Sequence, residues 1–206
     1  MKTKSYSLSF CAIGVALNIV LSFIASHLKI PFVFFDVMGT VLSGAVLGPL
    51  YGAITGFVTN LITSMLNNPA ELPYAIVNMM IGIIVGFISV KFGFKIHTAI
   101  ITGVILAVAA PLVGTPITVI LYGGLAGGTM DIMTGFLIQS GQKIFTSAFI
   151  PRIISNIIDK PLSCIIAYII ILRIPNSLLS KITSNKKLLA QKMAKSSKED
   201  LENDEI

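Results

Sequence analysis

Six long apolar runs limit what this chain can become. They lie at roughly 6–28, 32–48, 50–66, 73–91, 97–122 and 145–172. A helix needs about 20 residues, at 1.5 Å each, to cross a hydrocarbon layer of about 30 Å. Four runs meet that length and two fall short of it. The short pair, the second and third, is divided by "LGPLYG" (47–52), where Gly48-Pro49 ends a helix: proline lacks an N–H and disfavours helix in the residue before it. They are two short spans or one kinked span. Only 12% of residues are charged, about half of what a soluble domain carries.

Charge placement selects the count. With six spans both termini share one side, and that side holds Lys2, Lys4, Lys91, Lys95 and seven basic residues from Arg173 onward, eleven in all. The opposite loops hold Lys29 and Lys143, while Arg152 and Lys160 fall within the last helix. Basic residues collect on the cytoplasmic side; five spans would put the tail outside. The expectation is an all-α integral membrane protein with six transmembrane helices and both termini cytoplasmic. Residues 1–175 form the membrane domain and 176–206 a charged cytoplasmic C-terminal tail, basic from Lys181 to Lys198 and acidic from Glu199 to Glu205. Lipid headgroups are that tail's plainest partner. The net charge of +6 sits largely there, so it reads as membrane topology and not as nucleic-acid binding. The first run is too long for a cleaved signal segment.

Only four acids precede the tail: Asp36, Glu71, Asp131 and Asp159. All fall in outer loops or the outer half of a helix. Polar residues also share helix faces. Asp36, Thr40 and Ser43 do so in the second helix, and Thr55, Thr59 and Thr63 in the third, with Asn60 beside them. Tyr74 and Asn78 open the fourth just after Glu71, and Arg152, Asn156 and Asp159 mark the sixth. A lone Ser or Thr in a membrane helix bonds its own backbone. A charge near the bilayer centre costs at least about 2.5–3.5 kcal/mol, so these charges face a cavity or each other. The expected substrate-binding set is Asp36, Thr40, Asn60, Glu71, Tyr74, Asn78, Arg152, Asn156 and Asp159. The competing reading is a structural ion pair between Asp36 or Asp159 and Arg152 or Lys160.

Small residues recur four apart: Gly48, Gly52 and Gly56, then Gly82 and Gly86, then Ala12 and Ala16. That spacing lets helix backbones approach, and for the glycines internal packing is the favoured reading. Residues 123–144 contain six glycines and read as a glycine-rich outer loop between helices 5 and 6 with a short amphipathic or re-entrant piece. Cys11 and Cys164 sit in apolar runs and read as small core residues. His27 and His97 fall at opposite faces, which excludes a two-histidine metal site; no metal or cofactor is expected. There is no G-x-x-x-x-G-K-[ST], H-E-x-x-H or G-x-S-x-G, so no catalytic residue is assigned.

Over residues 5–175 the chain resembles the substrate-binding S components of energy-coupling factor (ECF) transporters, a vitamin-uptake type of ABC transporter. The resemblance rests on the small six-span body, on "ALNIVLS" with Ala12 and Ala16, on "GPLYGAITGFVTNLI" (48–62), on "LPYAIVNMMIGIIVGF" (72–87) and on "NIIDKPLS" in the last helix. It implies capture of a small molecule near the outer face of the bacterial plasma membrane. It also implies docking through Ala12 and Ala16 onto a membrane coupling protein driven by two cytoplasmic ATPase subunits, with the S component toppling to deliver its ligand. It does not carry over a substrate. From the residues alone, the ligand is small and polar: a water-soluble vitamin, a nucleobase or nucleoside, or a related micronutrient, with Tyr74 and Phe32 to Phe35 available for stacking. The rival readings are a stand-alone permease or channel and a membrane enzyme with a carboxylate-based site.

Overall fold

The computed structural model describes residues 2–28, 32–66, 68–127, 130–183 and 185–194. Among the described residues the regular elements are all helical, without a strand. In chain order the helices are α1 (Lys2–His27), α2 (Met38–Leu47), α3 (Pro49–Leu66), α4 (Ala75–Phe92), α5 (Ile96–Tyr122), α6 (Asp131–Gln139), α7 (Ile144–Arg173) and α8 (Asn176–Ile182). A 3-10 turn, Pro69–Glu71, leads into α4, and a further helix, α9, covers 186–194. Four helices, α1, α4, α5 and α7, are long and apolar enough to cross a membrane.

The second apolar run departs most from expectation. Its helix starts at Met38, not near residue 32, and its 10 residues reach only about 15 Å. Residues 32–37 instead lead in without helical structure, and Phe32 and Phe35 take φ of 63° and 54°, a region that non-glycine residues seldom adopt. At Gly48, with φ of 97°, the chain reverses into α3. Gly52 then lies against Gly44, a Cβ on Gly52 falling 2.8 Å from the Gly44 Cα. α2 and α3 are thus an antiparallel hairpin and not one kinked helix.

Every residue of α2 is buried. In apolar surroundings the hydrophobic effect no longer drives helix against helix, so close packing and hydrogen bonds must do it. A glycine seam provides the packing: a Cβ on Gly82 would overlap the Gly52 carbonyl, and one on Gly86 would overlap Pro49. Hydrogen bonds add to it at Asn18, fully buried on α1. Its amide donates to Thr40 Oγ1 at 2.9 Å and Thr59 Oγ1 at 3.0 Å and accepts from the Gly39 N–H at 2.6 Å, joining α1, α2 and α3. Thr55, Thr59 and Thr63 each donate to the carbonyl one turn back, as the sequence rule for lone hydroxyls states.

The far end is closed by the first part of the charged C-terminal segment. Leu179, Ile182 and Leu188 bury against the body. Ser7 of α1 donates to the Ile182 carbonyl, Thr183 to the Val46 carbonyl and Lys192 to the Ile171 carbonyl at 3.1 Å. Residues 176–183 and 185–194 are therefore folded onto the helix ends. Lys29 and the acidic stretch Glu199 to Glu205 lie outside the described residues.

Candidate functional site

At the end opposite that closure, α4 and the α5–α7 pair stand apart around a cavity of about 210 Å³. α7 brings Arg152 and Asn156 to it, one turn apart on the same face, and Lys160 two turns below Arg152. Tyr74 and Asn78 enter from the start of α4, Asn60 from α3, Glu71 from the 3-10 turn and Asp36 from the lead-in to α2. Seven of the nine residues expected to bind substrate are thus gathered at one cavity.

Thr40 and Asp159 do not line it. Thr40 is fully buried and accepts from Asn18; the stripe it forms with Ser43 turns toward α1, where Ser43 lies beside Gly14. Asp159, also fully buried, anchors the structure. One carboxylate oxygen accepts from the Phe34 and Phe35 N–H groups at 2.8 and 3.0 Å, and the other meets Lys160 Nζ at 2.7 Å. Ser155 adds a bond to the Phe32 carbonyl at 3.0 Å. Backbone outside a helix needs such partners where it is withdrawn from water. Lys160 Nζ also reaches Asp36 at 3.0 Å. Of the four ion pairs open in the sequence, the two on Lys160 are formed, and Arg152 is in neither.

The wall is held by polar chains. Asn78 donates to Asn60 Oδ1 at 2.8 Å, and Asn60 donates to the Glu71 carbonyl at 3.0 Å, which fixes the turn carrying the Glu71 carboxylate. Tyr74 shares a 2.6 Å hydrogen bond with Thr118 of α5 and stacks with Tyr122 at 6.4 Å between centroids. Arg152 gives one donor to the Ala148 carbonyl at 3.0 Å. Asn156 donates to the Arg152 carbonyl at 2.7 Å, leaving its own oxygen to accept. Burial, and next the negative charge of Asp36, push the Glu71 carboxyl up to about 6.

A smaller recess of about 130 Å³ adjoins, sharing Phe34, Asp36, Asn60, Glu71 and Asn78 with the first and running on to Asn18 and Ser22 of α1. Sequence reading missed the contribution of α5, where Ala110, Pro111 and Gly114 line the main cavity. Its only signal was small residues and a proline inside an apolar helix. Lys160, at the edge of the α7 stripe, and Asp131 and Met130 at the start of α6 also belong to the lining.

The glycine pairs serve internal packing, as read from the sequence, whereas Ala12 and Ala16 are exposed on α1. Cys11 and Cys164 are free and buried. No curated protein and no solved structure matches the chain. A sequence model of the family described as "ECF transporter, substrate-specific component" does match, over residues 7–171. The chain therefore belongs to the substrate-specific components of ECF transporters, multi-pass membrane subunits that work with a membrane coupling protein and ATPases and bind a small substrate.

Proposed function

We propose that this chain captures a small water-soluble micronutrient, such as a vitamin, nucleobase or nucleoside, at the outer face of the bacterial plasma membrane. It delivers the molecule inward when docked to its ATP-driven coupling module. One observation carries the reading: a cavity of about 210 Å³ at one end, lined by seven polar or charged residues read from the sequence, above a tightly packed layer. Such a cavity suits the capture of a small molecule. With six spans and both termini inside, the cavity opens outward and the basic end formed by α8 and α9 lies in the cytoplasm.

Docking through Ala12 and Ala16 is supported by α1 itself, whose apolar stretch is 28% buried, against 33% for that of α7 and 39% for those of α4 and α5. Small exposed side chains one turn apart leave a shallow seat for a partner helix. Replacing Ala12 or Ala16 with Phe is expected to abolish co-purification with the coupling protein while the isolated chain still binds its substrate. Retained co-purification removes the docking assignment.

The function is tested by reconstitution. The isolated chain in nanodiscs should bind its substrate tightly, vesicles holding it alone should show no flux, and ATP should drive uptake once the coupling module is present. Flux through the chain alone makes it a permease. Product formed without partners makes it an enzyme.

A further inference from the structure

The charges around the cavity do not cancel in the way a merely structural cluster would. Lys160 is closed on itself: its ammonium is held by Asp36 and Asp159, and Asp159 is further satisfied by two backbone N–H groups. Arg152 is not closed. Its guanidinium has five N–H donors, one of which reaches the Ala148 carbonyl, and among the described residues no carboxylate lies within ion-pair distance of it. Glu71 likewise has no cation within that distance, although its carboxylate lines the same cavity. The Tyr74 hydroxyl lies within hydrogen-bonding reach of the Arg152 guanidinium and within electrostatic reach of Glu71, so Arg152 rests on two neutral oxygens while the two opposite charges flank one aromatic side chain.

Resting on the capture function above, we infer that the ligand is a small ampholyte, with a carboxylate on Arg152 and a protonated nitrogen facing Glu71 and Asp36. A guanidinium receives a carboxylate through two parallel hydrogen bonds, and the free Asn156 oxygen beside it accepts a donor. A dianionic phosphate is disfavoured, because Asp36, Glu71 and Asp131 outnumber Arg152 and Lys160 around the cavity. A purely cationic ligand would leave Arg152 desolvated and unpaired, and a purely anionic one would do the same to Glu71, each an expensive arrangement in a low-dielectric site. Size agrees: at roughly 30 Å³ per water, 210 Å³ takes a single ring with two short substituents. Tyr74 provides an aromatic face between the two charged ends.

The test exposes the purified full chain in nanodiscs to the dialysable fraction of yeast extract. The nanodiscs are washed and denatured, and the released compounds are identified by mass spectrometry. Enriched compounds are expected to carry both an acidic group and a basic nitrogen. Arg152→Gln and Glu71→Gln should each lower retention about tenfold or more, with Arg152→Lys and Glu71→Asp recovering part of it. Enrichment of compounds that are only cationic, only anionic or uncharged overturns the inference and leaves capture standing, as does unchanged retention in both glutamine variants. Should a variant fail to fold, the charge class of the compound held by the unaltered chain decides alone. No enrichment at all counts against capture itself, and the inference falls with it.

Discussion

Two helix contacts in this molecule use small residues to opposite ends. Along α2, α3 and α4, glycines face glycines and backbones touch, and Asn18 ties α2 and α3 to α1. On the other side, α5 and α7 also approach closely at Gly103 and Pro161, yet at the cavity end α5 offers Ala110, Pro111 and Gly114 to open space. Gly114 has nothing nearer its Cβ position than Val77 at 3.8 Å and Tyr74 at 3.9 Å. Small side chains bring helices together where the partner is also small. They make room where the partner leans away.

The sharpest test of this contrast applies one substitution on both sides. Gly82→Ala drives a methyl into the Gly52 carbonyl and should cost about 3 kcal/mol or more, above the usual range for overpacking because backbone must move. Gly114→Ala meets only ordinary contacts and should leave stability unchanged or raise it by up to about 1 kcal/mol. Thermal unfolding in detergent reads both; equal losses would erase the distinction.

Next in size is Asp159→Asn. It leaves Lys160 with Asp36 as its single carboxylate and weakens the hold on Phe34 and Phe35, so a loss of about 3 kcal/mol is expected. Proteolysis or hydrogen exchange should report freer backbone at 32–37 while the glycine seam stays protected. Uniform loosening of both regions would mean that the lead-in and the seam unfold as one unit.

The smallest expected effect is electrostatic and belongs to the cavity alone. Glu71 is raised from 4.5 to about 6. A carboxyl that holds its proton more tightly in the folded chain favours the fold most below its unfolded value and loses that contribution as pH rises through about 6. The unliganded protein should therefore lose about 2 kcal/mol from this group between pH 4.5 and a little above 6. Glu71→Gln should flatten that part of the profile, and Asp36, Asp131, Arg152 and Lys160, which share the cavity, are common to both proteins. A cationic group on the ligand reverses the trend, since binding then improves as Glu71 ionises. An identical pH profile in the glutamine variant would detach Glu71 from the effect.

The helices themselves were legible because length and apolarity are local properties. The start of α2 was not: "FVFFD" (32–36) reads as part of an apolar helix, and its backbone is instead held by Asp159, more than a hundred residues away. Helix faces were legible too, though not what each face meets. Tyr74, Asn78, Arg152 and Asn156 were correctly grouped within their own helices, whereas Thr40 shares a stripe with Asp36 and yet faces Asn18. Spacing assigns a side of a helix; the neighbouring helix decides whether that side is wall or interior. The lining from α5 carried no polar signal, and Asn18 was lost in an apolar run. In the C-terminal segment the lysines were legible, while three buried aliphatic residues and the side chains that bond helix carbonyls were not.

Those last bonds set a schedule for synthesis. The Val46 carbonyl finds its partner in Thr183, 137 positions later. At ribosomal rates of about 5–20 residues per second, that separation amounts to roughly 7–27 s. Throughout that interval the end of α2 must borrow its hydrogen bond from water or a lipid headgroup. A nascent chain stalled before Thr183 would carry a cavity above an unsealed base, so a segment translated late completes a part of the protein inserted early.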